Sequence, residues 1–264
     1  RSNGIRLKAN LLISLFVAIY VISFSTLFNE LTLIPKGFVA MPPMPDHRIV
    51  GGVYAPIAAH PHQVSVQVNG VHQFGGSIIS ASWVVTTASS VYSSTSTYTV
   101  GVGSSDRYGG KKYGVKRIVR HPLFSVNTLD YDIALLEVSS INGPIQLNAS
   151  IKPIRLATFE LATNSILGGE NSRQLLQVYV PIIDRKVCAN AYSFLNDVTP
   201  RMICTESGRG GKGPCHGDGG GPLSSNGVLY GLVSWSLGCA DAKFPTVYSN
   251  VANLRPWIRS VTGI

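Results

Sequence analysis

The chain has 264 residues, of which 13 % are charged and 45 % are apolar, and its formal net charge is +9. This composition, with 27 glycines, excludes a disordered chain and favours an ordered, turn-rich β domain. A basic surface can attract acidic proteins, polysaccharides or nucleic acid. No aromatic platform or recognition helix accompanies the one basic cluster, so we do not expect nucleic-acid binding; the cluster comprises Lys111, Lys112, Lys116, Arg117 and Arg120.

The first 48 residues differ in composition from the rest. A basic start and an apolar run over 11–24 are followed by small residues such as Ser25, which predicts a signal peptide over 1–25. A signal anchor is the alternative, since the run is just short of a spanning helix. Four prolines argue against helix or central strand over 26–48, which is interpreted as a propeptide. We therefore expect a secreted, extracellular protein with no membrane attachment after cleavage. Asn148 begins an exposed glycosylation sequon.

From residue 49 onward, short apolar segments alternate with turns. Val64, Val66 and Val68 alternate with polar neighbours, which is the period of a strand. Only the tail over 251–261 has helical periodicity. The pattern predicts an all-β domain over 49–264. Further strands are predicted at 76–80, 83–88, 98–102, 112–118, 134–138, 175–180, 228–234 and 246–248.

Five motifs follow one another along this domain. They are Arg48-Ile49-Val50-Gly51-Gly52, the segment His72-Gln73-Phe74-Gly75-Gly76-Ser77, Trp83-Val84-Val85-Thr86-Thr87-Ala88-Ser89-Ser90, Asp132-Ile133-Ala134-Leu135-Leu136 and Cys215-His216-Gly217-Asp218-Gly219-Gly220-Gly221-Pro222-Leu223. In order and spacing the chain resembles the chymotrypsin/trypsin-like serine proteases. That resemblance implies two packed six-stranded antiparallel β-barrels with a cleft between them and a C-terminal helix.

The resemblance also marks the positions of a catalytic triad. Acyl transfer of this kind needs a hydroxyl nucleophile, an imidazole base and an orienting carboxylate. The carboxylate is Asp132, but Ser89 holds the imidazole position and Gly219 the nucleophile position. A hydroxyl has no accessible pKa for a base near neutrality. We therefore expect no enzyme but a catalytically inactive homologue, in which the Asp132 carboxylate and the oxyanion-hole donors, the amides of Gly217 and Gly219, persist.

The activation junction is a second element that the resemblance implies. In the family, cleavage after the arginine, here Arg48, frees the amino group of Ile49. The new ammonium would enter the core and pair with Asp218. Burying an ammonium is tolerable only with such a partner.

Four cysteines lie in the last third of the chain, and none has zinc-finger spacing. We expect no metal and no cofactor, and two disulfides if the chain is exported. The resemblance implies the pairs Cys188–Cys204 and Cys215–Cys239. The family's third bridge, beside the catalytic histidine, is replaced by Phe74 and Ser90, where apolar burial of Phe74 could offset part of the loss.

The specificity pocket implied by the resemblance also departs from the family. Gly213 would lie at the bottom of this pocket, and it offers no carboxylate to pair with a Lys or Arg side chain of a substrate. The pocket walls would be Ser236 and Thr246, whose side chains are expected to fill the slot. The alternative is a pocket for small residues.

The function expected on these grounds is binding of a protein partner, such as a host-defence or complement protein. The overall pattern is most similar to the inactivated protease paralogues of scabies mites, relatives of the dust-mite group 3 allergens. Two alternatives remain open. One is a serine-type endopeptidase with an atypical active site, and the other is a decoy that holds peptides without cutting them.

Overall fold

The computed structural model describes residues 49–91, 98–139, 143–163, 165–170, 174–206, 208 and 210–264. The predicted signal peptide and propeptide, together with Arg48, lie outside these residues. Within the described ranges, no helix is both long and apolar enough to span a membrane.

The amino-terminal half forms a closed six-stranded barrel in the order β2–β3–β4–β7–β6–β5, preceded by a short strand β1. The alternation of Val64 and Val66 places both side chains in the barrel core, where they are buried. The strands are β1 (Val53–Tyr54), β2 (Gln63–Val68), β3 (Val71–Ile78), β4 (Trp83–Thr86), β5 (Tyr98–Val102), β6 (Lys111–Arg120) and β7 (Ala134–Ser139).

The carboxyl-terminal half forms a second closed barrel, in the order β9–β10–β11–β14–β13–β12, with β12 pairing back onto β9. Strand β1 adds to β10, and β8 lies parallel to β13. The strands are β8 (Arg155–Leu156), β9 (Ile166–Glu170), β10 (Leu176–Ile183), β11 (Met202–Thr205), β12 (Pro222–Ser225), β13 (Val228–Trp235) and β14 (Thr246–Asn250). The predicted fold class is confirmed.

Two α-helices accompany the barrels in the described part of the chain. Helix α1 (Arg185–Ala191) begins at Asp184, whose side chain accepts a hydrogen bond from the Lys186 amide at 2.7 Å. Helix α2 (Val251–Thr262) begins at Asn250, whose side chain accepts from the Asn253 amide, and ends at Gly263. The tail helix was predicted, whereas α1 was not, because seven residues are too few to display an apolar period.

Both predicted disulfide pairs form. Cys188 on α1 is bonded to Cys204 on β11, and Cys215 is bonded to Cys239. The second bridge joins the loop before β12 to the loop before β14, so it ties together two loops that border the cleft described below.

An apolar cluster connects the two barrels with α2. It contains side chains from the first barrel, from β13 and from the buried face of the helix. Burying these side chains away from water stabilises the contact between the two barrels. This contact holds the barrels at the separation that forms the cleft. Its central members are Ile79, Val85, Leu135, Leu229, Leu232, Leu254 and Ile258.

A pair of histidines lies where β2 begins. His60 Nε2 lies 2.8 Å from Gln177 Oε1 on β10, which links the first barrel to the second. His62 is 7 % exposed, and its Nε2 has no hydrogen-bond partner among the described residues. Burial, with the nearby His60, lowers the pKa of His62 to about 4. His62 is therefore neutral in the folded protein at neutral pH.

We predict that Ile258→Ala weakens the junction between barrels and helix. Ile258 is fully buried, so truncation leaves a cavity and should lower the free energy of unfolding by about 2–5 kcal/mol. Urea unfolding measures the loss. The exposed neighbour provides the control: Arg259→Ala should change stability by less than ~0.5 kcal/mol. Equal effects of the two variants would contradict the packing described.

We also predict that stability falls as the pH decreases from about 6.5 toward 4. The unfolded chain binds a proton at His62 in this range and the folded chain does not, so acid favours unfolding. A shift from 6.5 to about 4 corresponds to roughly 3 kcal/mol. His62→Phe should flatten this part of the stability–pH profile relative to the parent. A profile that His62→Phe does not alter would refute the assignment.

Candidate active-site cleft

A cavity of about 320 Å³ lies between the barrels. The first barrel contributes Phe74 of β3 and the serines that follow β4, Ser89 and Ser90. The second contributes the glycine-rich loop before β12, the end of β13 and the start of β14. Three of the five motifs, those that contain Phe74, Ser89 and Gly219, therefore meet at one cavity.

Asp132 lies just before β7 and is 1 % exposed, and its carboxylate contacts two residues that line the cavity, Ser89 and Ser234. Its Oδ1 accepts a hydrogen bond from the Ser89 amide at 2.7 Å. Its Oδ2 accepts from Ser89 Oγ at 2.8 Å and from Ser234 Oγ at 2.6 Å. Burial raises the pKa of Asp132, although these hydrogen bonds act in the opposite direction. The result is a buried carboxylate in contact with a cleft-lining hydroxyl.

Two further serines support Asp132. Ser234 belongs to β13, and Ser249 Oγ of β14 donates to the Asp132 carbonyl oxygen at 2.5 Å. From the sequence, Ser234 was placed only at the end of the strand predicted over 228–234, and Ser249 was not singled out. Both contacts span more than 100 residues of chain, so no local pattern signals them.

Ser90 lies beside Gly219. A Cβ placed on Gly219 would lie 3.2 Å from Ser90 Oγ, which is otherwise hydrogen-bonded to Thr87 Oγ1 at 2.6 Å. Phe74 packs against the first-barrel core. The two positions where the family has a disulfide are thus occupied by a packed ring and a paired hydroxyl, as the sequence analysis suggested.

The glycine-rich loop turns sharply next to the cleft. Gly217 and Gly220 both have φ in the left-handed region, at 88° and 75°. A Cβ on Gly220 would lie 2.0 Å from Thr86 Oγ1, so no other residue fits. Asp218 is fully buried, and its Oδ2 accepts from the Cys215 amide at 2.8 Å. This geometry presents the Gly217 and Gly219 backbone toward the cavity.

The segment after the predicted activation site is inserted into the second barrel. Ile49 is 2 % exposed and packs in its core. Val50 exchanges two backbone hydrogen bonds with Gly213, at 2.9 and 3.1 Å. Arg48 lies outside the described residues, so the cleavage and the ion pair between Ile49 and Asp218 stay predictions.

The expected specificity-pocket residues do not all line the cavity. Ser236 and Thr246 line it. Gly213 does not, and its backbone is hydrogen-bonded to that of Val50. Ser236 Oγ donates to the Gly238 carbonyl at 2.7 Å. Both side chains border the open cavity, and the filled slot and its small-residue alternative stay predictions.

Asn148 is exposed, and its Oδ1 accepts from the Ser150 amide at 2.8 Å. Among the described residues, one group of three possible metal ligands occurs, namely Cys215, His216 and Cys239. Its two sulfurs form a disulfide, so this group is not a metal site.

Comparison with known proteins identifies relatives along most of the chain. The profile of the family described as Trypsin matches residues 49–258. Trypsin 5G1 of Aedes aegypti is 39 % identical over 82 % of this chain and 86 % of its own length. A trypsin of Simulium vittatum is 43 % identical over 76 % and 87 %, and the vitellin-degrading protease of Bombyx mori is 38 % identical over 82 % and 86 %.

These relatives correct the expectation that the chain is not an enzyme. That expectation is wrong, because relatives at 39 and 43 % identity are named trypsins, which are active enzymes, and a third at 38 % is named a protease. It had been drawn from two positions, Ser89 and Gly219, whereas the similarity extends over the whole domain. The assignment of those positions to a triad stays a prediction. The family match over 49–258 and the identity to insect trypsins show that this chain belongs to the trypsin family of serine proteases.

Proposed function

We propose that this protein is a serine-type endopeptidase with an atypical active site, in which Ser89 is the nucleophile and Asp132 its general base. The observation that carries the proposal is the 2.8 Å hydrogen bond from Ser89 Oγ to Asp132 Oδ2 at the wall of an open cleft. A nucleophile and a base within hydrogen-bond reach are the minimum for acyl transfer. Family membership supports the reaction type.

The proposed reaction is a two-step acyl transfer. Ser89 Oγ attacks the scissile carbonyl carbon as its proton passes to Asp132 Oδ2. The Gly217 and Gly219 amides donate to the oxyanion, and collapse breaks the carbon–nitrogen bond as the Asp132 proton passes to the leaving amine. Water then attacks the Ser89 ester, giving up a proton to Asp132, and Asp132 returns this proton to Ser89 Oγ as the carbon–oxygen bond of the ester breaks and the acid product leaves.

Two features of Asp132 support its role as base. Its raised pKa makes the carboxylate more basic than an exposed one, and Ser234 Oγ holds it in place at 2.6 Å. A carboxylate is still a weaker base than the imidazole that serves other members of the family. General-base catalysis contributes roughly 10²–10⁴-fold, so we expect turnover below that of a trypsin by a factor of this order.

The cavity supports a preference for small, uncharged side chains at the residue before the scissile bond. None of the described residues that line it is acidic, and Ser236 and Thr246 lie along its wall. A Lys or Arg side chain would be buried there without a counter-charge, which is costly.

Export to an oxidising compartment is part of the proposal. Both disulfides form, and no cysteine among the described residues is free, as is usual for secreted proteins. The likeness to mite proteases and the complement partner expected from the sequence stay predictions, since the relatives reported above are insect proteins.

We predict that a fluorophosphonate probe labels the processed protein, beginning at Ile49, on Ser89. Labelling should be lost in Ser89→Ala and reduced at least about 100-fold in Asp132→Asn, because the base is then missing. Peptide mapping by mass spectrometry locates the adduct. Ser225→Ala on β12, outside the cavity, is the matched serine control and should label like the parent. Absence of labelling in folded protein, or an adduct that disappears only in Ser90→Ala, would contradict the proposal.

We further predict that peptide substrates with Ala or Val before the cleaved bond have a kcat/KM at least about tenfold above those with Arg or Lys, because the lining supplies no carboxylate. Paired chromogenic substrates that differ at this residue measure the ratio. Preference for Arg or Lys would show that the pocket is wrongly assigned even if Ser89 is labelled.

A further inference from the structure

A second cavity, of about 580 Å³, is lined by residues of β8, of β13 and of helix α2, and is here called the α2 cavity. Among the described residues, none lines both this cavity and the active-site cleft. Its volume falls within the range of roughly 300–1,000 Å³ that is usual for small-molecule sites. A ligand in the α2 cavity would therefore bind apart from the proposed peptidase chemistry.

The walls of the α2 cavity are mainly apolar. Ile79, Ile154 and Leu156 are buried and belong to the apolar cluster at the junction of the barrels with the helix. Phe159 lines the same cavity but is 66 % exposed, so much of its ring is in contact with water. Covering such a ring with apolar atoms is favourable. The cavity therefore favours a ligand with an apolar body.

Two arginines give the α2 cavity its charge. Arg155 of β8 and Arg255 of α2 both line it, and none of the described residues in its lining is acidic. Arg255 Nε is buried and has no hydrogen-bond partner among the described residues. Arg155 donates to the Asn226 carbonyl oxygen at 3.2 Å. A buried N–H without an acceptor is costly, and the planar guanidinium matches a carboxylate, so these groups favour an anionic end on the ligand.

Nearby acidic groups do not neutralise this charge. Glu160 directly follows the lining residue Phe159 but is engaged elsewhere, since it accepts from Asn250 Nδ2 at 2.6 Å and pairs with Arg185 at 3.8 Å. Ile264 also lines the cavity, and a single α-carboxylate there would still leave the two guanidiniums with one net positive charge. The α2 cavity therefore keeps a positive charge with which a ligand carboxylate can pair.

The backbone of the lining disfavours a peptide as the ligand. A bound peptide strand needs free backbone groups with which to pair. The amides of Ile154, Arg155 and Ala157 already donate to carbonyl oxygens of β3, of Gly227 and of β13, at 2.9, 3.4 and 3.0 Å. A peptide in the cavity would leave its own N–H and C=O groups unpaired, which is costly, whereas a hydrocarbon chain has no such groups.

A nucleotide also matches the α2 cavity poorly. Its phosphate could pair with the arginines and its base could stack on Phe159. Of the described side chains in the lining, however, only Thr158 and Tyr230 carry an uncharged polar group. The polar edges of a base would therefore be left largely without hydrogen-bond partners.

We propose that the α2 cavity binds an amphipathic carboxylate, that is, an aliphatic chain that ends in one carboxylate. The carboxylate accepts hydrogen bonds from the Arg255 guanidinium, including its unpartnered Nε, and is attracted by Arg155. The aliphatic chain lies against Leu156, Phe159 and Val228. This inference goes beyond the proposed peptidase activity, since it involves neither Ser89 nor Asp132.

Calorimetric titration of the purified protein with small ligands tests this chemistry. The probe is octanoate, and butanoate, octan-1-ol and octylammonium are the comparisons. We expect saturable binding of octanoate with a Kd of roughly 5 mM or tighter. Butanoate should bind at least about tenfold more weakly, because it buries fewer methylene groups. Octan-1-ol should also bind at least about tenfold more weakly, because it lacks the carboxylate, and octylammonium more weakly still.

A pair of arginine variants on helix α2 tests the assigned site. Arg255→Gln should weaken octanoate binding by about 10- to 100-fold, because it removes a charged donor to the carboxylate. The same variant should change the affinity for octan-1-ol by less than about twofold, whereas collapse of the cavity would weaken both ligands. Arg259→Gln is the matched control, since Arg259 is exposed one turn further along the helix and lies outside the lining. It should bind both ligands like the parent.

Several outcomes would overturn the proposal. They are octan-1-ol or octylammonium binding as tightly as octanoate, equal effects of the two arginine variants, no saturable binding of octanoate up to about 50 mM, or displacement of octanoate by adenosine monophosphate at an equal or lower concentration. Thermal melting checks that each variant is folded. Should Arg255→Gln not fold, the comparison of octanoate with octan-1-ol and octylammonium on the parent protein decides.

Discussion

The buried carboxylate of Asp132 joins the two barrels through two residues that line the cleft, Ser89 and Ser234. This carboxylate accepts hydrogen bonds from Ser89 of the first barrel and Ser234 of the second. The main-chain carbonyl oxygen of Asp132 accepts a further hydrogen bond from Ser249. A buried charge without such donors would cost several kcal/mol. The positions of the loop after β4 and of strands β13 and β14 therefore depend on one another, and the cleft forms where they converge.

The apolar junction and the glycine-rich loop make that convergence possible. The cluster between the barrels and α2 sets their separation. Close approach of Gly220 to Thr86, which leaves no room for a side chain, brings the loop before β12 against the first barrel. Packing thus positions the Gly217 and Gly219 backbone opposite Ser89 across one cavity.

Much of this arrangement could be predicted from the sequence. The alternation of Val64 and Val66 and the apolar face of the tail helix predicted a β domain that ends in a helix, and the resemblance of the motifs to the serine protease family implied the two barrels and the cleft between them. Helix α1 could not be predicted from its seven residues, and the Asp132 contacts to Ser234 and Ser249 could not be predicted from any local pattern. The open cavity beside Thr246 also depends on how a loop folds, which residue identity does not determine.

The inference about activity failed for a related reason. It considered only that Ser89 cannot replace an imidazole base. In the structure the Ser89 hydroxyl is hydrogen-bonded to the Asp132 carboxylate, whose pKa is raised by burial. Two positions were given more weight than a domain that is 38–43 % identical to proteins named trypsins and a trypsin-family protease.

The most direct measurement of the central claim is a crystal structure of the processed protein after reaction with a peptidyl phosphonate. The account predicts a tetrahedral phosphorus bonded to Ser89 Oγ, with one oxygen accepting hydrogen bonds from the Gly217 and Gly219 amides. An unmodified Ser89 in a cleft that contains the inhibitor, or a bond to any other side chain, would contradict it.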